Sequence, residues 1–284
     1  MLHRLDPAER GPPRRLTEGE LRFSRERIDP LIRAAQTSLD RLYQAVGGVG
    51  CCILLADHEG VPVDRRGAVA DDPTFRDWGL WTGTVWSEAA QGTNGIGTCI
   101  VDQRTVSIHR DQHYFTRNTD LSCTTAPIFD HEARLAAVLD VSSCRADLTE
   151  AFAGLIAVAA QDAARRIEAE AFRLAFPTAR VLVAPGMEKA GCGLIAIDRD
   201  DLVIGATRAA RQALGLTAES LARPRPVADI IGVPEDDLDD AERGVLQRAL
   251  ARTGGNASAA AQALGIGRAT LYRKLKRLGL SSAH

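Results

Sequence analysis

Several features are missing from this chain of 284 residues, and each absence excludes something. No run of about eighteen apolar residues occurs, the length a bilayer-spanning helix needs, so no membrane partner is expected. The opening MLHRLDPAERGPPRRL has no apolar core of the secretory kind, which points to a cytoplasmic protein. Six cysteines stand at 51, 52, 99, 123, 144 and 192 without a C-x-x-C pair. Free thiols are therefore the default, and no metal site is supported. No G-x-x-x-x-G-K-[ST] loop occurs, so the Gly-rich stretch at 92–98 is not a P-loop. No nucleophile, base and orienter stand at plausible positions, so neither catalytic residues nor a resident cofactor are expected.

What remains is ordinary in bulk and uneven in detail. Charged residues make up 25% and hydrophobic ones 45%, as in globular proteins, and the length suits two or three small domains. The net charge of -2 hides a segregation: Glu235 to Glu242 holds six acids in eight residues, whereas Arg243 to Arg277 holds eight Lys/Arg and no acid. One concentrated basic end suggests local contact with nucleic acid.

That end contains two short helical runs around Gly265-Ile266-Gly267. Asn256 is suited to cap the first, whose alanines favour helix and allow close approach, and Gly265 is suited to the sharp turn. In the second run Leu271, Leu275 and Leu278 form one apolar stripe at i, i+4, i+7. The other positions carry Arg268, Thr270, Tyr272, Arg273, Lys274, Lys276 and Arg277. Two helices joined by a short turn, the second basic on its outer side, form the helix-turn-helix pattern for the DNA major groove. Arg268, Thr270 and Arg273 are expected at base edges, and Tyr272, Lys274 and Lys276 at phosphates. A preceding helix over 239–253 gathers Val245, Leu246, Ala249 and Leu250 on one face suited to a dimer seam. The stretch GNASAAAQALGIGRATLYRKLKRLGL at 255–280 resembles the C-terminal domain of Fis-family proteins.

Residues 1–16, rich in Pro and Arg, read as a disordered arm. Helical pattern over 17–45 breaks near Pro30. CCILLA at 51–56 and the run 61–65 read as a hairpin around 57–60. Three tryptophans, Trp78, Trp81 and Trp86, read as packing residues ahead of GTNGIGT at 92–98, which should open a helix to about 102 with Thr93 or Asn94 as cap. Strand patterns at 105–109, 123–129 and 135–141 precede a long Ala-rich helix at 148–176. Cys51 and Cys52, adjacent on a strand, should point to opposite faces.

The residues Trp86-Ser87-Glu88, Gly92-Thr93-Asn94, Ile96-Gly97-Thr98, His109, His113-Tyr114, Cys123, Ala126-Pro127-Ile128, Asp130 and Val138-Leu139-Asp140-Val141-Ser142 resemble the GAF domain of acetoin-catabolism-type regulators. The resemblance covers roughly 25–175 and implies a fold that senses a small molecule, without catalysis. Candidate pocket residues are Trp86, Thr93, Asn94, His109, His113 and Cys123. His109 and His113 have the i, i+4 spacing of a helical metal pair, but the segment reads as extended, and pocket lining or a structural hydrogen bond is favoured. Relatives of this type usually carry a central AAA+ ATPase that remodels polymerase. Here only about sixty residues separate the long helix from the basic end, so control without ATP-driven remodelling is expected. Within them, GLIAIDRDDLVIGATRAARQALGL resembles the opening of a PAS unit.

The sequence thus leads to an α+β chain: an arm at 1–16, a GAF domain with flanking helices at 17–176, a truncated PAS-like or linker segment at 177–234, and a Fis-type helix-turn-helix at 235–284. The function expected is a ligand-responsive, homodimeric transcription regulator with an unidentified effector, reading an inverted repeat in double-stranded DNA and working with RNA polymerase. An architectural DNA-binding protein is one alternative. A thiol-dependent reductase using Cys51, Cys52 or Cys123 is another.

Overall fold

The computed structural model describes residues 5–9, 11–145, 150–188, 191–232 and 238–280. It divides into two units, Met1–Val227 and Ala228–His284.

The first unit begins with α1 (Glu18–Arg27) and α2 (Asp29–Val46). Thr17 starts α1 through a reciprocal capping box with Glu20, each side chain accepting from the other's backbone N–H. The break at Ile28 lets Pro30 stand in the first turn of α2, where its missing N–H costs nothing. The chain then runs through β1 (Cys51–Asp57), β2 (Pro62–Arg66), α3 (Asp72–Asp77), α4 (Glu88–Gln91), α5 (Gly95–Asp102), β3 (Val106–His109), β4 (Ser122–Phe129), β5 (Leu135–Ser143) and the long α6 (Glu150–Ala175). Of the long helix expected at 148–176, residues 148 and 149 lie outside the described residues.

The five strands form one antiparallel sheet in the order β2-β1-β5-β4-β3. Every residue of β1 is buried, because both faces of the sheet are covered. Cys51, Ile53 and Leu55 pack with α2 and α6, among them Leu39, Leu42, Ile156 and Ile167. Cys52, Leu54 and Ala56 face the other way, onto Trp86, Ile96, Cys99 and Leu121. The strand period of two thus splits the adjacent cysteines between two cores. Each fully buried Leu, Ile or Phe in these cores contributes about 1.5–3 kcal/mol.

Residues 1–16 depart from the expected disordered arm wherever they are described. Leu16 N–H donates to Gly83 O at 2.7 Å, Val85 N–H donates to Arg14 O at 2.8 Å, and Arg15 pairs with Thr84 in an antiparallel bridge. The composition is polar, but the backbone finds partners on a loop seventy residues away.

α6 belongs to two cores. Up to Ile167 it buries Ile156, Ala160, Ala163, Ala164 and Ile167 against the main sheet, and its last turns bury Ala169 and Phe172 against a second sheet. That sheet consists of β6 (Arg180–Val183), β7 (Leu194–Ile197), β8 (Leu202–Ala206) and a two-residue β9 (Arg225–Pro226), in the antiparallel order β6-β7-β8-β9. Between β8 and β9 lie α7 (Arg208–Leu214), capped by Thr207, and α8 (Ala218–Leu221). α9 (Val227–Ile231) follows.

The second unit holds α10 (Leu238–Arg252), α11 (Ala257–Ala263) and α12 (Arg268–Arg277). Asn256 caps α11, its side chain accepting from Ser258 N–H and Ala259 N–H at 3.0 and 3.1 Å. Gly265 turns the chain at φ +66°. Leu246 and Ala249 of α10 pack on Ala257, Ala260 and Ala261 of α11 and on Leu271, Leu275 and Leu278 of the last segment. The face expected as a dimer seam is therefore mostly internal: Leu246 and Ala249 are buried, Leu250 packs on the same core, and Val245 alone of the four is exposed. Helices as short as α11 and α12 need a third helix to cover their apolar stripe, and α10 supplies it.

Candidate functional site

Two regions carry the residues singled out in the sequence. The first is α12. Its two buried leucines, Leu271 and Leu275, with Leu278 just past its end, fix its rotation, so Arg268, Ala269, Tyr272, Arg273 and Lys276 all lie exposed on the opposite side. These five fall at i, i+1, i+4, i+5 and i+8, one stripe on the helix. The Arg268 guanidinium lies 5.6 Å from the centre of the Tyr272 ring, one turn away. Thr270 is half-buried at the flank of this stripe. Gly267 opens α12 without a side-chain cap, leaving the first-turn amides of the helix open.

Lys274 does not belong to that outer stripe. Its Nζ is paired with the Glu242 carboxylate of α10, and Arg277 Nη2 is paired with Glu242 and, at 3.1 Å, with Asp239. The hydrogen bond from Lys274 and the two positive charges hold the Glu242 carboxyl below its ordinary range. Lys274, expected at a phosphate, stands at i+6 from Arg268, which turns it toward α10, where an acid of the sequence-adjacent acidic run meets it.

The second region is the sheet face beneath α5. Asn94 is buried and caps α5, accepting from Gly97 N–H at 2.9 Å while its amide donates to Gly92 O at 2.8 Å. Of the two cap candidates Asn94 takes the role, and Thr93 is exposed. α5 lies directly on β4 and β5. A Cβ on Gly95 would fall 2.6 Å from Thr125 Oγ1 and 2.7 Å from Cys123 Cβ. Below it, Thr125 Oγ1 and Ser142 Oγ donate to the two oxygens of Asp140 at 2.5 and 2.6 Å, and Ser142 Oγ is 3.1 Å from Cys123 Sγ. Burial raises the Asp140 carboxyl to about 6, against the two hydroxyl donors that favour its charged form. Burial also pushes the Cys51, Cys52 and Cys123 thiols upward, the last two far above the ordinary thiol range, so thiolate chemistry at neutral pH is suppressed at all three.

The other candidates are dispersed around this face. Trp86 is buried, with its Nε1–H donating to Gly79 O at 2.9 Å. His109, on strand β3, has Nδ1 2.7 Å from Ser122 Oγ. His113 is buried, and its Nδ1 lies 2.9 Å from Arg110 O. The two histidines thus hold separate structural hydrogen bonds. Grooves of about 1080 Å³ along α2 and α6, about 730 Å³ near Arg27, His58 and His131, and about 520 Å³ beside α1 are lined by none of the six candidates. Tyr114 and Arg117, which sequence reasoning left unassigned, contact the arm through Leu5 and Glu9. Among the described residues no helix is long and apolar enough to cross a membrane.

Residues 30–167 match the family model of the GAF domain, and residues 237–278 match that of bacterial regulatory proteins of the Fis family. The acetoin catabolism regulatory protein of Cupriavidus necator is 32% identical over 241 residues, which is 84% of this chain and 36% of that protein. The acetoin dehydrogenase operon transcriptional activator AcoR of Bacillus subtilis is 28% identical over 173 residues, covering 59% of this chain and 29% of that one. The chain spans about a third of the length of these curated relatives. Among solved structures, the E. coli DhaR(N)–DhaL complex aligns with a TM-score of 0.55 at 15% identity, over 79% of this chain and 76% of that one, a likeness of fold.

Proposed function

We propose that this chain, which joins a GAF domain to a helix-turn-helix of the Fis family, is a ligand-responsive transcription regulator that binds double-stranded DNA. The observation that carries the reading is the outer stripe of α12. Arg268, Tyr272, Arg273 and Lys276 are exposed together on a helix with no acid, while the leucines opposite are buried. Such a helix fits the major groove, where Arg268, Thr270 and Arg273, nearer its N-terminus, reach base edges. Tyr272 and Lys276, with the uncapped first-turn amides, suit phosphate oxygens.

The protein acts as a homodimer on an inverted repeat, since two recognition helices about 34 Å apart meet successive major grooves on one face of the duplex. The GAF domain takes a small effector, and the names of the relatives make acetoin and its close analogues the first compounds to try. Effector binding has to favour one arrangement of the chain by about 1–3 kcal/mol to change DNA occupancy usefully. Between the two matched segments the described residues form the second sheet and short helices, so control of polymerase proceeds by occupancy or recruitment rather than by an ATPase in that interval. The site of action is the cytoplasm.

The test is selection of binding sites from random duplexes by the full chain, followed by anisotropy titration with and without effector. Recovery of an inverted repeat whose affinity changes with a small molecule supports the reading. Equal affinity for all duplexes instead identifies an architectural protein.

A further inference from the structure

Residues 5–9 have no helix or strand, yet their carbonyls occupy the donors of one loop. Tyr114 Oη donates to Leu5 O at 2.5 Å, Thr116 N–H and Oγ1 donate to Pro7 O at 3.1 and 3.2 Å, and Arg117 Nη1 donates to Glu9 O at 2.9 Å. The same loop holds polar atoms that are buried and have no partner: His113 Nε2, Arg117 Nε and Asn118 Nδ2. His113 is 4% exposed and Asn118 2%.

Their chemistry is specific. A carbonyl only accepts, so His113 Nδ1 carries the proton that bonds Arg110 O, and Nε2 of the neutral ring is a buried acceptor awaiting a donor. Burial lowers the His113 pKa, which keeps the ring neutral. Asn118 Nδ2 and Arg117 Nε are donors awaiting acceptors. Arg117 gives its two Nη groups to neutral oxygens, Glu9 O and Gln91 Oε1, and stacks 4.0 Å from the Phe115 ring centre. Among the described residues no ion pair joins it to a carboxylate; the charge of Glu9 acts on it from longer range and does not offset the burial that lowers its pKa. One short loop thus holds a half-buried cation whose hydrogen bonds go to neutral acceptors, two orphaned donors and one orphaned acceptor, the complement of an anion that also carries a hydroxyl.

We propose that the loop 113–118 is a binding site for a small 2-hydroxycarboxylate, and that the arm carbonyls of residues 5–9 plug this site until the ligand displaces them. The carboxylate takes the donors of Arg117 and Asn118, and the hydroxyl donates to His113 Nε2. The arm carbonyls are neutral stand-ins for the carboxylate, and they are the weaker acceptors. The proposal rests on the reading of the GAF domain as a sensor and names the ligand class and the gate.

Hydrogen exchange of the full chain, read by mass spectrometry with and without lactate, tests it alongside calorimetric titration. Lactate is expected to bind more tightly than propionate, which lacks the hydroxyl, and than propane-1,2-diol, which lacks the charge. Binding is expected to speed exchange in residues 5–16. Arg117→Gln should weaken lactate about tenfold, the size of one charge-assisted hydrogen bond. Tyr114→Phe removes an arm contact without removing a ligand donor, so it should tighten lactate by about fivefold, an outcome that a purely structural tyrosine would not give. Lactate binding with unchanged arm exchange overturns the plug. Absence of lactate binding in a chain whose DNA affinity responds to another small molecule overturns the site and leaves the sensor reading standing. A chain whose DNA affinity responds to no small molecule overturns the sensor reading itself.

Discussion

Glu242 of α10 holds Lys274 of α12 in an ion pair, and Arg277 closes on the same carboxylate. The acidic run before α11 thus reaches across the unit and pairs with two of the cations on α12. The charge that α12 leaves unpaired on its outer side is less than the charge written in the helix.

The two lysines of α12 are therefore expected to behave differently. Lys276→Ala should lower the slope of log K against log salt by about one unit, as the loss of one phosphate contact does. Lys274→Ala should leave that slope nearly unchanged. Glu242→Gln, which releases Lys274 and Arg277, should raise affinity for random DNA and steepen the slope. Equal slopes for the two lysine variants in a salt titration by anisotropy would falsify the assignment.

Arg273→Ala should weaken the selected site by roughly 1–3 kcal/mol and relax preference at one base pair. Random DNA should lose far less. Competition between the selected site and a scrambled duplex measures both, and an equal loss on the two places Arg273 at the backbone instead.

Asp140 and Glu168 are both shifted upward by burial, to about 6 and about 7 from ordinary values of 3.8 and 4.5. Between about pH 4 and 7 the folded chain therefore holds protons that the unfolded chain has released, so their contribution falls as pH rises through that window. The Asp140 part is on the order of 1–3 kcal/mol. Asp140→Asn should remove the dependence between about pH 4 and 6, and Glu168→Gln the part reaching to about 7. Urea midpoints of parent and variants collected across this range decide the matter; because burial of neutral His113 contributes a rise with pH in the same window, the reading is the difference between parent and variant, and a pH slope that neither substitution changes is the opposite result.

Gly95→Ala places a methyl 2.6 Å from Thr125 Oγ1 and 2.7 Å from Cys123 Cβ, so it should destabilise the first unit by about 1–3 kcal/mol. Gly154→Ala on α6 meets nothing within 4 Å and should stabilise by about 0.5–1 kcal/mol through helix propensity. Thermal unfolding of the pair separates close packing from a general effect of alanine.

Elements with a local cause were legible in the chain. The break near Pro30, Thr93 or Asn94 as the cap of α5, Asn256 as the cap of α11, Gly265 as the turn and the alternation that parts Cys51 from Cys52 all follow from rules that span a few residues. β9 was missed, since two residues, Arg225 and Pro226, become a strand through pairing with Leu202 and Val203. The arm was misread because its polar composition says nothing about carbonyls that meet Tyr114 and Arg117.

By itself the sequence determined the longer helices and strands, which faces of them are apolar, and that a basic helix with the Fis pattern lies at 268–277. Tertiary structure alone decided that Leu246 and Ala249 are covered by their own unit, that Lys274 is paired with a residue thirty-two positions away, and that His113 Nε2 and Asn118 Nδ2 are buried without partners. Propensity and periodicity act over a few residues, whereas burial and charge pairing depend on which distant segment arrives alongside.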